Sequence, residues 1–336
     1  MNTEKQHINL KQTNSNFNAY PLKFHPILKD RIWGGTKLES LNKNLPSNEI
    51  GESWEISMVD QDINVIANGI YENKSFKDLV DQFPMEILGD KVYAKFGNQF
   101  PLLFKFLDAK TDLSIQLHPN DEIAKERHDS FGKTEMWYVM QADENARVIL
   151  GFKKDSSAEE YLQHLENKTL PTVLQEYYVK PGDVFFIETG TIHAIGGGIL
   201  LAEIQQNSDI TYRVYDWDRV DANGNERELH VDLALDAISY KTKKAKIDYT
   251  EKTNENVTLV DCPFFTTNIV ALEEQYNKTK NTDCFLVYIC TEGNANLKVG
   301  ETIISVVKGE TLLVPACITS FSIEGNAKLL EVYINL

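Results

Sequence analysis

Two side chains with metal-binding chemistry lie two residues apart in the segment Ser114-Ile-Gln-Leu-His-Pro-Asn-Asp121. Alternate residues of a strand face the same side, so Gln116 and His118 would point together into a barrel interior. An imidazole and an amide oxygen make only half of a metal site. The other half needs a carboxylate and a second imidazole from neighbouring strands.

Two further segments offer those groups. Glu135 stands at the head of a predicted strand in 132–138, and His193 follows a tight turn in 190–196. The four residues would supply two nitrogen and two oxygen donors with open positions, which suits zinc or another borderline divalent ion. A lone histidine in a strand is more often a hydrogen-bonded core residue, so the interpretation depends on all four occurring together.

Short strands separated by Gly, Pro, Asn and Asp dominate the chain, a pattern typical of a sandwich or barrel. The predicted strands are 99–107, 112–117, 136–140, 147–152, 175–179, 184–188, 200–205, 212–217, 266–272, 284–291, 302–307, 311–314 and 328–334. Helical spacing predicts three insertions, at 75–88 with a break at Pro84, at 156–174, and at 228–240 with Leu229, Leu233 and Ile238 near one face.

An internal repeat predicts two related barrels. The segments 182–193 and 309–320 both contain a Gly-acid turn, an apolar strand, a small-residue turn and a second strand. Two ordinary hairpins would share these features, so the repeat alone leaves that alternative open. Ser320 stands where the first copy has His193, which predicts that the second barrel is metal-free.

A polar stretch at 241–256 is typical of a linker and places a domain boundary near residue 250. The predicted organisation is a polar tail at 1–19, a catalytic domain at 20–250 with helical insertions, and a C-terminal β domain at 251–336.

Composition excludes several classes of function. The net charge of -16 argues against nucleic-acid binding, and the lack of an apolar run of about 18 residues argues against a membrane span. The first 20 residues have no apolar segment typical of a signal peptide, and the four cysteines form no CxxC pair. A cytoplasmic protein with reduced thiols is therefore expected.

Four segments in order resemble the type I phosphomannose isomerases in their short bacterial form. They are Gln-Leu-His-Pro-Asn-Asp, Gly-Lys-Thr-Glu-Met-Trp, Gly-Thr-Ile-His-Ala and, at 207–214, Asn-Ser-Asp-Ile-Thr-Tyr-Arg-Val. The segments 31–35 and 51–57 resemble that family's N-terminal signatures as well, and the likeness runs from about Tyr20 to Tyr240.

The resemblance implies cupin-type jelly-roll barrels, and interconversion of mannose 6-phosphate and fructose 6-phosphate. It also implies one divalent ion, expected to be zinc, and the family's active-site arginine at Arg213. The implied ligands of that ion are Gln116, His118, Glu135 and His193. Because Glu135 follows His118 at a longer spacing than in many cupins, 120–133 is expected to be a loop at the rim of the site.

Roles for the remaining candidates follow from the chemistry of the isomerisation. Arg213 suits stabilisation of enediolate charge, because a guanidinium stays protonated and presents a planar fork; a structural salt bridge to Asp209 or Asp216 is its alternative. Lys133 would bind substrate, or shuttle a proton if desolvation lowers its pKa. Asp209 is a candidate base or orienting carboxylate.

Substrate binding is predicted to involve Trp33, Glu52, Arg31 and Lys133. A phosphorylated substrate would be repelled by the overall charge, so the phosphate needs a local basic pocket. Lys133, Arg213 and Arg31 are the candidates for that pocket.

Three alternatives remain open at this stage. They are an isomerase of another sugar phosphate, a non-catalytic sugar-binding cupin and a cupin dioxygenase. Gln116 is a poor match for the facial triad of ferrous oxygenases. The motifs near the metal fix neither the stereochemistry at C2 nor the choice between an enediol and a hydride route.

Overall fold

The computed structural model describes residues 17–220 and 224–336, and in these residues strands far outnumber helices. Twenty-two strands are described: β1 (Phe24–His25), β2 (Ile27–Gly35), β3 (Ile50–Ile56), β4 (Met58–Val59), β5 (Asp62–Ile63), β6 (Val65–Ile66), β7 (Leu102–Ala109), β8 (Ile115–Leu117), β9 (Glu135–Ala142), β10 (Arg147–Phe152), β11 (Leu174–Tyr178), β12 (Val184–Ile187), β13 (His193–Ile195), β14 (Ile199–Gln206), β15 (Tyr212–Tyr215), β16 (Lys246–Ile247), β17 (Asn256–Asp261), β18 (Thr266–Thr279), β19 (Leu286–Val299), β20 (Thr302–Val307), β21 (Thr311–Val314) and β22 (Ser320–Tyr333).

The helices are short and lie between the strands. The described α-helices are α1 (Phe76–Gln82), α2 (Pro84–Leu88), α3 (Asp90–Phe96), α4 (Asp121–His128), α5 (Ala158–Glu166), α6 (Leu170–Val173) and α7 (Val231–Leu235), with 3-10 turns at Lys37–Leu41 and Gly69–Tyr71. The expected mainly β fold with short helical insertions is confirmed. No helix in the described ranges has the length and apolar character that a membrane crossing needs.

Two sheets form the first barrel. One has seven strands in the order β16-β12-β9-β14-β7-β3-β2, and the other has five in the order β11-β10-β13-β8-β15. A shared apolar core joins them, with Trp137 and Phe185 from the first sheet packed with Leu150 and Ile195 from the second.

A third sheet occupies the C-terminal part, in the order β17-β18-β22-β19-β20 with β21 beside β19. The N-terminal segment ties this sheet to the first barrel, because Leu22 and Leu313 exchange backbone hydrogen bonds of 2.7 and 2.9 Å. Lys23 adds an ion pair to Glu310 at 2.7 Å. The boundary near residue 250 remains a prediction.

The internal repeat has a matching backbone geometry in its two copies. The amide of Gly182 donates to the carbonyl of Val139 at 2.8 Å, and the amide of Gly309 donates to that of Cys290 at 2.8 Å. A strand begins two residues after each glycine, and the strands that follow, β13 and β22, begin at the twelfth position of each copy. The strand orders β12-β9-β14-β7 and β21-β19-β22-β18 also correspond.

Two expectations about helices were wrong. The stretch 120–133 contains α4, which begins where the Asn120 side chain accepts from the Ile123 amide at 2.9 Å. The helix expected at 228–240 covers only Val231–Leu235. Leu229 and Leu233 are exposed there, whereas Ala234 and Ile238 are buried in the apolar cluster that contains Val214.

The predicted polar tail lies mostly outside the described residues. Of its positions only 17–19 are described, and the ring of Phe17 stacks on Tyr71 with 5.5 Å between centroids. The end of the predicted tail therefore packs against the protein.

The two repeat glycines should respond differently to substitution. Gly182 and Gly309 both have positive φ, 89° and 86°, which costs about 1–2 kcal/mol for an L-residue. A Cβ at Gly309 would lie 2.4 Å from the Leu41 Cβ, whereas at Gly182 the nearest atom, the Tyr249 hydroxyl, is 3.5 Å away. We expect Gly309→Ala to lower the unfolding free energy by roughly 1–3 kcal/mol more than Gly182→Ala does. Urea denaturation measures this difference as a lower midpoint for Gly309→Ala. Equal losses would contradict this packing.

Candidate active site

Pairing in the five-stranded sheet brings three predicted side chains to one face. Directly opposite residues of antiparallel strands share a face. Gln116 of β8 pairs with His193 of β13 on one side and with Arg213 of β15 on the other. Glu135, the first residue of β9, comes from the seven-stranded sheet.

The two histidines direct their Nε2 atoms at Glu135. The Nδ1 atoms of His118 and His193 lie 2.8 Å from the backbone oxygens of Ile210 and Thr191 respectively. A carbonyl only accepts, so each Nδ1 carries the proton and each Nε2 is unprotonated and presents a lone pair. Both Nε2 atoms lie 3.5 Å from a Glu135 carboxylate oxygen. These three ligand atoms lie within 4.8 Å of one another and could hold a metal ion.

The Glu135 carboxylate is buried and accepts no hydrogen bond of good geometry from the described residues. Burial raises its pKa, whereas burial lowers the pKa of His193 to about 4. The Lys133 ammonium lies 3.1 Å from one carboxylate oxygen and 3.1 Å from the His118 Nε2. Neutral imidazoles around a carboxylate with unsatisfied oxygens fit a divalent cation.

Gln116 is the fourth predicted ligand, and it offers an amide group beside the cluster of His118, His193 and Glu135. Its amide Nε2 lies 3.5 Å from the His193 Nε2, and its Oε1 accepts from the Ser114 hydroxyl at 3.3 Å. A half-turn of the amide exchanges its oxygen and nitrogen at almost equal size. The amide oxygen can therefore face the same point as the two imidazoles.

A cavity of about 350 Å³ opens beside this cluster. Eight of the ten predicted site residues line it, namely Arg31, Trp33, Glu52, Gln116, Lys133, His193, Asp209 and Arg213. The other two, His118 and Glu135, both lie 3.1 Å from the ammonium of Lys133. The structure thus brings all ten predicted residues together, although their individual roles remain predictions. A larger cavity of about 610 Å³ near Tyr138 and Lys328 contains none of the ten.

Arg213 is not held by the salt bridge that the sequence left open. In the described part of the chain it forms no ion pair with Asp209 or Asp216, and Asp216 is bound by two other guanidinium groups. The Nη1 of Arg213 donates to the Glu228 carbonyl at 2.9 Å, and its buried Nε has no partner among the described residues. Arg213 therefore keeps donors for a ligand.

The sequence analysis missed two buried charges in the cavity wall. The Lys105 ammonium lies 3.4 Å from a Glu203 carboxylate oxygen, and the Trp137 indole donates to the other oxygen at 2.9 Å. Each charge interrupts an otherwise apolar run, 102–107 or 199–204. That interruption was the available signal, because unpaired charges are rarely buried in strands.

Glu52 orients the opposite wall. It binds Arg31 through two hydrogen bonds of 3.0 and 3.1 Å and accepts from the Trp54 indole at 2.6 Å. Burial alone would raise the pKa of Glu52, but the charges of Lys105 and Arg31 lower it to about 2. Glu52 is therefore ionised and neutralises Arg31.

Two family models match the chain in separate parts. The model for the catalytic domain of type I phosphomannose isomerase matches residues 22–152, and the model for the cupin domain of mannose-6-phosphate isomerase matches residues 255–334.

Characterised relatives match along nearly the whole length. The mannose-6-phosphate isomerase ManA of Bacillus subtilis is 36% identical over 312 residues, which is 92% of this chain and 97% of the relative. The mannose-6-phosphate isomerase of Streptococcus mutans is 34% identical over 94% of this chain and 99% of its own. A crystal structure of the Bacillus subtilis mannose 6-phosphate isomerase matches with a TM-score of 0.85 and 33% identity, covering 94% of this chain and 100% of that one.

The buried pair Lys105–Glu203 should contribute strongly to stability. Removing one partner leaves a buried charge without compensation, which typically costs about 3–5 kcal/mol. We expect Lys105→Met to lower the unfolding free energy by roughly 3 kcal/mol in urea denaturation, since Lys133 lies 4.0 Å from Glu203 and compensates in part.

Lys29 provides a matched control for this variant. Its ammonium also lies over the Trp54 ring, 5.0 Å from the centroid against 4.8 Å for Lys105, but its ion pair with Asp62 is partly exposed. Lys29→Met should cost less than about 1 kcal/mol. A similar loss in both variants would show that burial of the pair does not matter.

Proposed function

The chain belongs to the type I phosphomannose isomerase family, and we propose that it interconverts mannose 6-phosphate and fructose 6-phosphate with one divalent metal ion. The observation that carries the proposal is the convergence of ligand atoms of His118, His193 and Glu135 within 4.8 Å of one another, beside a cavity lined by cationic side chains. The proposed compartment is the cytoplasm, and the proposed ligand is a small sugar phosphate.

We propose zinc as the ion, bound by the Nε2 atoms of His118 and His193, the Glu135 carboxylate and the Gln116 amide oxygen. Two nitrogen and two oxygen donors suit zinc in an open site. When bound, such an ion supplies Lewis-acid stabilisation to oxygens on C1 and C2 of the sugar. The carbonyls of Ile210 and Thr191 support the assignment, because they fix both imidazoles with Nε2 unprotonated.

Arg213 is proposed to stabilise negative charge that develops while a proton moves between C2 and C1. It is fixed by the Glu228 carbonyl and keeps an unpartnered Nε among the described residues, so it is preorganised for an anion. Asp209 is exposed at the cavity edge and is proposed as the base or as the carboxylate that orients the base.

Lys133 is proposed to donate hydrogen bonds to the substrate, with proton transfer as its alternative role. Burial alone would lower the pKa of Lys133, but the charges of Glu135 and Glu203 raise it above its usual range. A cation bound by Glu135 would act on Lys133 in the opposite direction, because it neutralises the carboxylate. A protonated ammonium in the wall can bind a hydroxyl or an anionic oxygen of the substrate.

Metal removal tests the proposed function directly. Protein stripped of metal should not convert mannose 6-phosphate in a coupled assay, and added zinc should restore turnover. His193→Ala should lower turnover at least about a hundredfold at saturating zinc, because losing even a partner of a metal ligand costs 10–100-fold. His164→Ala, which removes a half-buried histidine of α5 bonded to Thr169, should leave turnover unchanged. Folded wild-type protein without turnover for any divalent ion would overturn the proposal.

Arg213→Gln separates charge stabilisation from substrate binding. It removes the guanidinium charge proposed to act on the transition state, so kcat should fall by about a hundred- to a thousandfold, with a smaller change in KM. Steady-state kinetics with mannose 6-phosphate gives both parameters. An unchanged kcat would assign Arg213 a structural role.

A further inference from the structure

Two arginines bind one buried carboxylate beside the cavity, and a third arginine lies near them. Asp216 accepts from Arg219, and it also accepts from the Nε and Nη2 of Arg227 at 2.7 and 2.6 Å. Burial and then the charge of Arg227 lower the pKa of Arg213, while the charge of Asp216 raises it, so Arg213 lies within electrostatic reach of this cluster. The cluster therefore has a local excess of positive charge in a chain of net charge -16.

The two arginines bound to Asp216 differ in how they are held. Arg219 also donates to the backbone oxygens of Asp112 at 2.6 Å and of Asp216 at 3.3 Å, and it lies outside the cavity lining. Arg227 lines the cavity, and among the described residues its guanidinium binds only Asp216. Arg219 is a fixed structural partner, whereas Arg227 can exchange partners.

We propose that Arg227 binds the phosphate group of the substrate and makes the site selective for phosphorylated sugars over unphosphorylated ones. Asp216 holds the guanidinium at the cavity edge until a phosphate replaces it. This inference rests on the proposed function, because it assigns the phosphate end of the same substrate.

The exchange has a low energetic cost. Breaking a buried ion pair is expensive when it leaves a charge without a partner. Here Asp216 keeps Arg219 after Arg227 leaves, so its buried carboxylate remains compensated. A guanidinium fork matches phosphate oxygens in a bidentate geometry at least as well as it matches a carboxylate, and phosphate carries the larger charge.

Arg227 is also better suited than the other cationic candidates. Arg31 is bound to ionised Glu52 by two hydrogen bonds, and no second guanidinium among the described residues would replace it there, as Arg219 does at Asp216. Lys133 lies within 3.1 Å of Glu135 and His118, at the proposed site of the chemistry. Arg227 lines the same cavity as Gln116 and His193, so a phosphate bound by Arg227 can belong to a sugar that reacts beside those two residues.

The test compares Arg227→Gln with Lys180→Gln. Both variants lose one positive charge, but Lys180 is exposed and lies outside this cavity. For zinc-loaded Arg227→Gln we expect KM for mannose 6-phosphate, and the dissociation constant of fructose 6-phosphate measured by calorimetry, to rise at least about tenfold. Binding of unphosphorylated fructose and the thermal midpoint should change little. Lys180→Gln should match wild type in every measurement.

Two results would overturn the inference. One is an unchanged affinity for fructose 6-phosphate in folded Arg227→Gln. The other is an equal loss of affinity for fructose and fructose 6-phosphate, which would show that Arg227 only maintains the shape of the cavity. If wild type bound fructose 6-phosphate without converting it, the proposed function would fail, and the calorimetric comparison would still decide the role of Arg227.

Discussion

A buried carboxylate at the start of β9 constrains the rest of the site. A carboxylate removed from water costs several kcal/mol unless it is paired and hydrogen-bonded, and among the described residues the cation at ion-pair distance from Glu135 is the Lys133 ammonium. The two imidazoles cannot donate to it, because their protons are committed to the carbonyls of Ile210 and Thr191. The proposed cation would complete the compensation. The backbone around those two carbonyls is therefore as important to the site as the ligands.

The C-terminal sheet has a corresponding strand arrangement but no carboxylate at the position of Glu135. Glu203 faces Trp137 across β14 and β9, and Glu331 faces Tyr288 in the corresponding positions of β22 and β19. Both aromatic side chains donate to their glutamate. Two residues before Tyr288, at the position that corresponds to Glu135, stands buried Leu286. Both oxygens of Glu331 accept hydrogen bonds, so this buried glutamate is structural.

The features predicted best from the sequence are those that depend on one short contiguous segment. Gln116 and His118 were identifiable because a strand period places them on one face, and the strand 147–152 was predicted to the residue. Lys105 and Glu203 were missed because their partners come from other strands, and only the fold shows that the two charges meet. Helix α4 was missed although Asn120 supplies an N-cap signal, because the long spacing between His118 and Glu135 predicts an inserted segment but not its conformation. The 14-residue strand β18 continues past its predicted end because β22 pairs with it throughout.

The acidic character of the chain and an anionic substrate are compatible because charge acts over different distances. At physiological ionic strength, charges farther apart than about 8 Å are largely screened. The net charge of -16 therefore affects how often an anion approaches more than how tightly it is held. At contact distance, the carboxylates already bound to each cationic side chain determine how tightly that side chain can hold an anion. Glu52 neutralises Arg31, whereas Arg213 forms no ion pair in the described residues. The capacity to bind an anion thus depends on unequal distribution of carboxylates around the arginines, and the total charge does not reveal that distribution.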